Sequence, residues 1–378
     1  MAEAFKPKSV LFIRRDNIGD LVCTTPAIRA VRLKYPEAEI AVLVTSYNVD
    51  IVRNNPDIDE VFIYEKEKHR AKGKGVLKTL LGQLSVIRKI RSKRFDAAIG
   101  CAYSYSPRLA RLTYLTGAKL RIGYAPKHGS SRFYNSAVKG PSEPVHEVLA
   151  MMRLLKPLGI EEETVPRLFI RPDEEEVKKA REFLKGAGQS RRIALFHISS
   201  RRPENRWPLE YFKELGDMIE SPHPPLPIAI VKTQREPSPH KGGGIRGKGR
   251  LKECGFKVLL TWSPGSKDNP LHPGDDEGAE ALASSMKERP ILYKTERLSE
   301  LIAALSLADI VVCLDGGAMH IAAGLKRPVV AIWGSTDERR WAPWAAPHII
   351  LKKDSKQAWS VAPKEAIEAF MKLSRNGR

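Results

Sequence analysis

The 378-residue chain is poor in cysteine and aromatics, short of acid, and has no long apolar run. Its four cysteines, Cys23, Cys101, Cys254 and Cys313, lie far apart with no CxxC pair among them. That spacing argues against a zinc site or a disulfide framework and fits a reducing compartment. No stretch approaches the roughly 20 apolar residues that a membrane-spanning helix needs. The opening segment, MAEAFKPKSVLFIRR, offers only the short apolar run Ser9–Ile13, too short for a signal-peptide core. These absences predict a soluble, cytoplasmic protein. The shortage of acid is the largest imbalance: 44 Asp+Glu stand against 64 Lys+Arg, a formal net charge of +20. Such an excess suggests a polyanionic partner, whether nucleic acid, an anionic membrane surface or a phosphorylated substrate.

What is present is a 42% hydrophobic content, enough for substantial cores, in a chain long enough for two domains. Short apolar runs alternate with helix-compatible segments, the pattern of an α/β protein with mostly parallel sheets. In the first half, strands are expected at Ser9–Ile13, Glu39–Thr45, Val61–Tyr64 and Ala97–Cys101. Helices are expected at Leu21–Tyr35 and Val145–Leu158, and a basic, helix-compatible segment runs from Glu65 to Arg94. A change of domain falls around Arg167–Asp173, where Asp173 and three glutamates look like a helix start. The division is therefore 1–170, 171–360 and a terminal segment, 361–378, whose Pro363–Leu373 reads as an amphipathic helix. In the second half, strands are expected at Arg192–His197, Lys257–Thr261, Ile291–Leu292, Ile310–Leu314 and Pro328–Trp333. A helix from Pro208 carries Leu209, Phe212, Leu215 and Ile219 on one face, and another covers Leu298–Leu307. Between them Ser221–Lys252 is rich in Pro, Gly and base, with seven Lys/Arg and one Glu from Lys232 to Lys252. That composition predicts a mobile insertion. The halves show no convincing sequence repeat.

Four polar clusters fall just after expected strands, where open α/β sheets place their ligands. Asp16-Asn17-Ile18-Gly19-Asp20 puts Asp20 at a helix start. There it is either an ordinary capping residue or an ionised carboxylate able to take a proton from an attacking hydroxyl. His197-Ile198-Ser199-Ser200 leads into Arg201, Arg202 and Arg206, ahead of Trp207-Pro208. Paired hydroxyls with arginine forks suit a diphosphate. Trp262, in Thr261–Gly265, could pack against a base or belong to the core. Asp315-Gly316-Gly317, between a buried strand and an Ala-rich helix carrying His320, suits an anion, because unpaired N–H groups and the helix dipole converge there. The plainer reading of that turn is a tight bend beside a packed histidine. Three anion-friendly loops in one half and a carboxylate loop in the other suggest a nucleotide-diphosphate donor in the second domain and an acceptor on the first.

The segments RRDNIGDLVCTTPAIRAVRLKYPEAEIAVLV, HISSRRPENRWPLEYF and DGGAMHIAAGLKRPVVAIWG, in that order and spacing, resemble the lipopolysaccharide heptosyltransferases, glycosyltransferase family 9. The WSPG…HPGDD stretch looks like the subgroup related to core heptosyltransferases. The resemblance implies a GT-B fold: two Rossmann-like domains facing across a cleft, with the C-terminal helix crossing back to the first. It implies ADP-heptose as donor, the phosphorylated, lipid-linked inner core of lipopolysaccharide as acceptor, and inverting transfer with neither metal nor cofactor. Asp20 matches the family's catalytic Asp. Ser199, Ser200, Asp315, Gly316, Gly317 and His320 match its donor-binding positions, to which Arg201, Arg206 and Trp262 are added. Arg15 and Asn17, beside Asp20, are expected on the acceptor side. The family's Lys two residues before Trp-Pro is replaced by Asn205, and Arg206 is expected to supply the charge instead.

The basic residues from Lys66 to Arg94 would then meet the acceptor or anionic headgroups at the inner face of the inner membrane. Another sugar nucleotide is the nearer alternative. A nucleic-acid-binding role is the alternative from a different class, but no RNP, helix-turn-helix or zinc-finger pattern supports it.

Overall fold

The alternating apolar runs assemble into two separate sheets in the computed structural model, which describes residues 5–65, 76–126, 131–188, 191–221, 255–268 and 274–376. The first sheet comprises β1 (Ser9–Ile13), β2 (Glu39–Val44), β3 (Glu60–Ile63), β4 (Ala97–Gly100), β5 (Leu120–Tyr124) and β6 (Ser136–Val138). The second comprises β7 (Arg192–His197), β8 (Phe256–Thr261), β9 (Ile291–Leu292), β10 (Ile310–Leu314), β11 (Val329–Ile332) and β12 (His348–Leu351). Their orders are β3-β2-β1-β4-β5-β6 and β12-β11-β10-β7-β8-β9, and the pairings are parallel throughout. Numbered within each domain, the two orders are the same doubly wound topology. The halves are thus a topological repeat without a visible sequence repeat. In each sheet the winding direction reverses beside the first strand, between β1 and β4 and between β7 and β10. The crevice at that switch is where such sheets take ligands.

The helices of the first domain are α1 (Ile18–Val22), α2 (Thr25–Lys34), α3 (Val76–Lys93), α4 (Pro107–Leu115) and α5 (Glu147–Arg153). Those of the second are α6 (Glu174–Gly186), α7 (Leu209–Glu220), α8 (Asp276–Ser285), α9 (Leu298–Leu307), α10 (Gly317–Gly324), α11 (Glu338–Trp341) and α12 (Pro363–Asn376). Asp173 caps α6, its Oδ1 accepting from the N–H groups of Glu175 and Glu176 at 3.1 Å each. The single helix expected over Leu21–Tyr35 is instead two, because Pro26 has no N–H to give the Val22 carbonyl. The Thr25 hydroxyl donates to that carbonyl at 2.7 Å, and the Thr24 hydroxyl donates to Asp20 O at 2.9 Å. Asp20 therefore sits in a one-turn helix that ends almost at once.

The last helix does not cross back to the first domain. Ala366, Ala369, Phe370 and Leu373 of α12 are buried with Phe212, Phe256 and Val312 in a core of the second domain, and the Phe370 ring meets that of Phe256 edge-on. The apolar face of α12 finds its partner on its own sheet, so nothing drives it across. The insertion at Ser221–Lys252 lies, past Ser221, outside the described residues, as does the basic stretch Lys66–Lys74. No helix among the described residues is long and apolar enough to cross a membrane.

The domains meet through α1 and α10, which pack against each other and join one continuous buried cluster. Two glycines permit the approach. A Cβ on Gly19 would lie 2.5 Å from His320 Cδ2, and one on Gly317 would lie 3.3 Å from Ile18 Cβ. Gly19 is therefore required by contact across the cleft more than by a tight turn. Gly19→Ala is expected to push α1 from α10 and cost about 1–3 kcal/mol, read as a lower thermal midpoint. Gly317→Ala, with its looser contact, is expected to cost less.

Candidate functional site

The chain leaves β1 into a loop whose first residue, Arg14, is 1% exposed. A buried guanidinium must be paired to be tolerated. Arg14 Nη2 donates to Asp20 Oδ1 and, at 2.7 Å, to Glu147 Oε1. Its Nε lies 3.7 Å from Asp16, and its Nη1 meets the Met151 sulfur at 3.2 Å. Asp20 Oδ2 accepts from the Asn17 backbone N–H at 3.2 Å and from Asn17 Nδ2 at 3.0 Å. Burial pushes the Asp20 carboxyl up, but the Arg14 charge and the Asn17 hydrogen bonds outweigh it, so the group is held below its ordinary value. Asp20 is therefore both a first-turn helix residue and an ionised carboxylate at a strand end. The pairing stabilises the fold above the ordinary carboxyl range and is lost as pH falls through the depressed value.

Across the interface, the strand ends of the second domain gather several polar loops. Asp315 Oδ2 accepts from Asn205 Nδ2 at 3.1 Å and from the Thr336 hydroxyl. Asn205, 2% exposed, in turn accepts from the Ser335 N–H at 3.2 Å. Asp315 thus ties the loops after β7, β10 and β11 into one wall. Burial raises its carboxyl above the ordinary value. Ser199 Oγ accepts from the Ser263 N–H at 2.8 Å, joining the loops after β7 and β8. Arg206 Nε donates to Ser200 O at 3.0 Å and Nη1 to Asp275 at 2.8 Å. Gly316 is exposed ahead of α10, leaving that helix start open to an anion.

The expected site residues divide into those the fold brings together and those it does not. Asp20, Asn17, Arg201, Gly317 and His320 converge where the domains meet, with Arg201 Nη2 donating to Asn17 Oδ1 at 3.4 Å across the cleft. His320 is 3% exposed, its Nδ1 3.8 Å from Cys23 Sγ and its ring edge-on to Trp341. Burial pushes it down to about 4, so it is neutral near pH 7 and rests against Gly19. Trp262 is a core residue, 6% exposed, its indole N–H donating to Asp276 at 2.6 Å. Arg15 turns away from Asp20, its guanidinium 4.6 Å from the centre of the Tyr64 ring.

Three contributors escaped the sequence pattern: Arg14, Glu147 and Arg340. Glu147, wholly buried at the start of α5, accepts from Arg14 on one oxygen and from Arg340 Nε on the other at 2.8 Å, with Arg340 Nη2 in ion-pair contact at 2.8 Å. The one available signal was Arg14 itself, a charge prolonging a fully buried strand.

Two Rossmann-like domains of one topology, facing each other at their strand ends, define the GT-B class of glycosyltransferase fold. Residues 83–223 and 248–368, more than half of the chain, match the family described as "Glycosyltransferase family 9 (heptosyltransferase)", and the chain belongs to that family of glycosyltransferases. It is 23% identical over 330 residues to "Lipopolysaccharide heptosyltransferase 3" of Escherichia coli K12, covering 86% of this chain and 82% of that one. Over 343 residues it is 22% identical to "Lipopolysaccharide core heptosyltransferase OpsX" of Haemophilus influenzae, covering 89% and 82%. Among solved structures, a glycosyl transferase family 9 protein from Veillonella parvula superposes with a TM-score of 0.78 at 21% identity over 99% of both chains. E. coli heptosyltransferase WaaC with ADP-2-deoxy-2-fluoro heptose gives 0.67 at 18% identity, over 96% of this chain and 99% of that one.

Asp315→Ala is expected to leave Asn205 Nδ2 and Thr336 without their acceptor and loosen the loops after β7 and β11. The cost is about 1–3 kcal/mol, the usual penalty for an orphaned buried donor. Thermal denaturation against the parent protein checks it.

Proposed function

We propose that this glycosyltransferase transfers heptose from ADP-heptose to the phosphorylated inner core of lipopolysaccharide, with inversion at the anomeric carbon. The observation that carries the reading is the buried, ionised Asp20 of the first domain set against the open start of α10 in the second. The names of the relatives support the sugar and the acceptor class.

In this reading the acceptor hydroxyl attacks the anomeric carbon from the face opposite ADP while Asp20 removes its proton. The C–O bond to the diphosphate breaks with its electron pair, and ADP departs carrying the negative charge. That charge is met by the N–H groups at the start of α10 and by Arg201 and Arg202, both exposed on the same wall. Arg206 is already committed to Asp275, so its part is to hold the loop that presents Ser199 and Ser200. His320, neutral and packed on Gly19, supports the helix start instead of adding a cation. The displacement requires no metal in this scheme. Closing the domains excludes water, the competing acceptor.

The acceptor is lipid-linked, and α3 offers a surface compatible with a membrane face. Leu81 is 58% and Leu84 49% exposed, with Arg88 and Arg91 exposed further along the same helix. Apolar side chains with nearby base suit peripheral contact with anionic headgroups.

Asp20→Ala is expected to lower transfer from ADP-heptose to deacylated inner-core oligosaccharide by about 10²–10⁴-fold. The rise in thermal midpoint given by ADP should stay near that of the parent protein. Turnover surviving in that variant would remove the base from Asp20. No thermal response to ADP or ADP-heptose in the parent protein would remove the donor.

A further inference from the structure

Arg14 is bonded to two carboxylates, and only one of them is the proposed base. The other, Glu147, is wholly buried and lies at the junction of the two domains. Its second oxygen is gripped by the Nε and Nη2 of Arg340, in α11 of the second domain, at 2.8 Å each. Arg340 is itself sandwiched, its guanidinium 3.8 Å from the centre of the Tyr103 ring and 4.5 Å from that of Trp341. The neighbouring residue joins the same junction. His146 Nε2 lies 2.9 Å from Ala342 O, and its ring stacks on Trp344. A chain of alternating charge therefore runs Asp20–Arg14–Glu147–Arg340, and only its last member belongs to the other domain.

We propose that Glu147 and Arg340 are positioning residues that link domain closure to the charge state of the catalytic carboxylate. The inference rests on Asp20 being the base. With Arg340 seated, two carboxylates share two guanidinium groups, and Arg14 can hold Asp20 ionised and aimed. With Arg340 withdrawn, two buried carboxylates compete for Arg14 alone. Like charges so close cannot both stay ionised at little cost, and the pair takes up a proton. The base is then ready only when the domains are together, which restricts proton abstraction to the closed, water-excluding state. The other titratable or charged groups facing this cluster are Asp16 at Arg14 Nε, Cys101 near Arg14, Tyr103 against Arg340, Tyr124 near Glu147, and Cys23, His146 and His320 along the interface. Burial raises both thiols and lowers both imidazoles, so none of the four supplies a competing charge near pH 7.

The test reads the carboxyls directly, by ¹³C spectra of the full chain labelled at Asp and Glu, with Asp20→Asn and Glu147→Gln assigning the two signals. In the parent protein Asp20, held below its ordinary value, is expected to show no titration step between about pH 5 and 8. Arg340→Gln should introduce one, raised by about 1–3 units. Glu147→Gln/Arg340→Gln should abolish it, since Arg14 then serves Asp20 alone. Transfer by Arg340→Gln should fall with pH along the same step, and transfer by the double variant should not. A flat titration in Arg340→Gln, or a step persisting in the double variant, overturns the coupling. The Arg340 side chain is 31% exposed, and an unchanged circular dichroism spectrum shows that its variant folds. These spectra need no substrate, so a wrong donor or a dispensable Asp20 would appear in the transfer assay alone and be distinguished from a failure of the coupling.

Discussion

A guanidinium sealed inside the protein is the constraint on which the rest of the arrangement depends. At an effective dielectric constant of about 20, unit charges about 3 Å apart attract by roughly 5–6 kcal/mol. Desolvation costs several kcal/mol per buried ion, so each such pair contributes little net stability. What the network provides is position. Arg14 is delivered by β1, whose four residues before it are wholly buried, and its own side chain is enclosed as well, only 1% exposed. Asp20 and Glu147 must come to it, which dictates how the loop after β1 curls into α1 and where α5 begins. Removing any one member leaves another charge uncompensated, and that asymmetry makes the arrangement specific.

The contact between domains follows from the same region. A histidine and an isoleucine each reach across to a glycine of the opposite helix, so α1 and α10 approach more closely than side chains would allow. Neutral His320 suits this, because a charged imidazole at that depth would have to be desolvated, with His146 also opposing the charge. The close seam beside Asp20 and the open start of α10 are therefore two parts of one helix pair. The first leaves the carboxylate side chain only 12% exposed, and the second leaves the helix start at Gly316 exposed.

Much of this architecture was legible in the chain. β7, α9 and β10 fall on the residues where apolar pattern placed them, because buried parallel strands and amphipathic helices are written in local composition. β5, β6, α4, α8 and β12 were not found. β6 and β12 lie at sheet edges and are half exposed, so their apolar signal is weak. The break between α1 and α2 was hidden because it depends on threonine hydroxyls replacing the N–H that Pro26 lacks. Asp20 and Asp315 were visible as loop acids after strands. Glu147 and Arg340 were not, since nothing near either residue records a partner 193 positions away. Trp262 was ambiguous for a general reason: an aromatic after a strand packs inward or outward according to what the next helix offers, and here half-exposed Asp276 at the start of α8 accepts its N–H while the ring is buried.

Asn205 shows how a substitution at one position redistributes charge around a site. A lysine there would bring a cation to the wall between Asp315 and Ser335. Asn205 instead donates to one and accepts from the other, which a lysine, having only donors, cannot do. The wall is thereby bound by neutral hydrogen bonds, and the cations stand outside it. Arg206 faces Asp275, whereas Arg201 reaches toward Asn17 and Arg202 is 59% exposed. Arg202 also acts on Asp315, opposing the rise that burial imposes on that carboxyl. In the proposed donor complex, a diphosphate would compete with Glu204 for Arg202 and with Asn17 for Arg201. Engaging Arg201 would then release one bridge between the domains, so in the proposed complex the wall of the second domain and the domain seam respond to the same ligand.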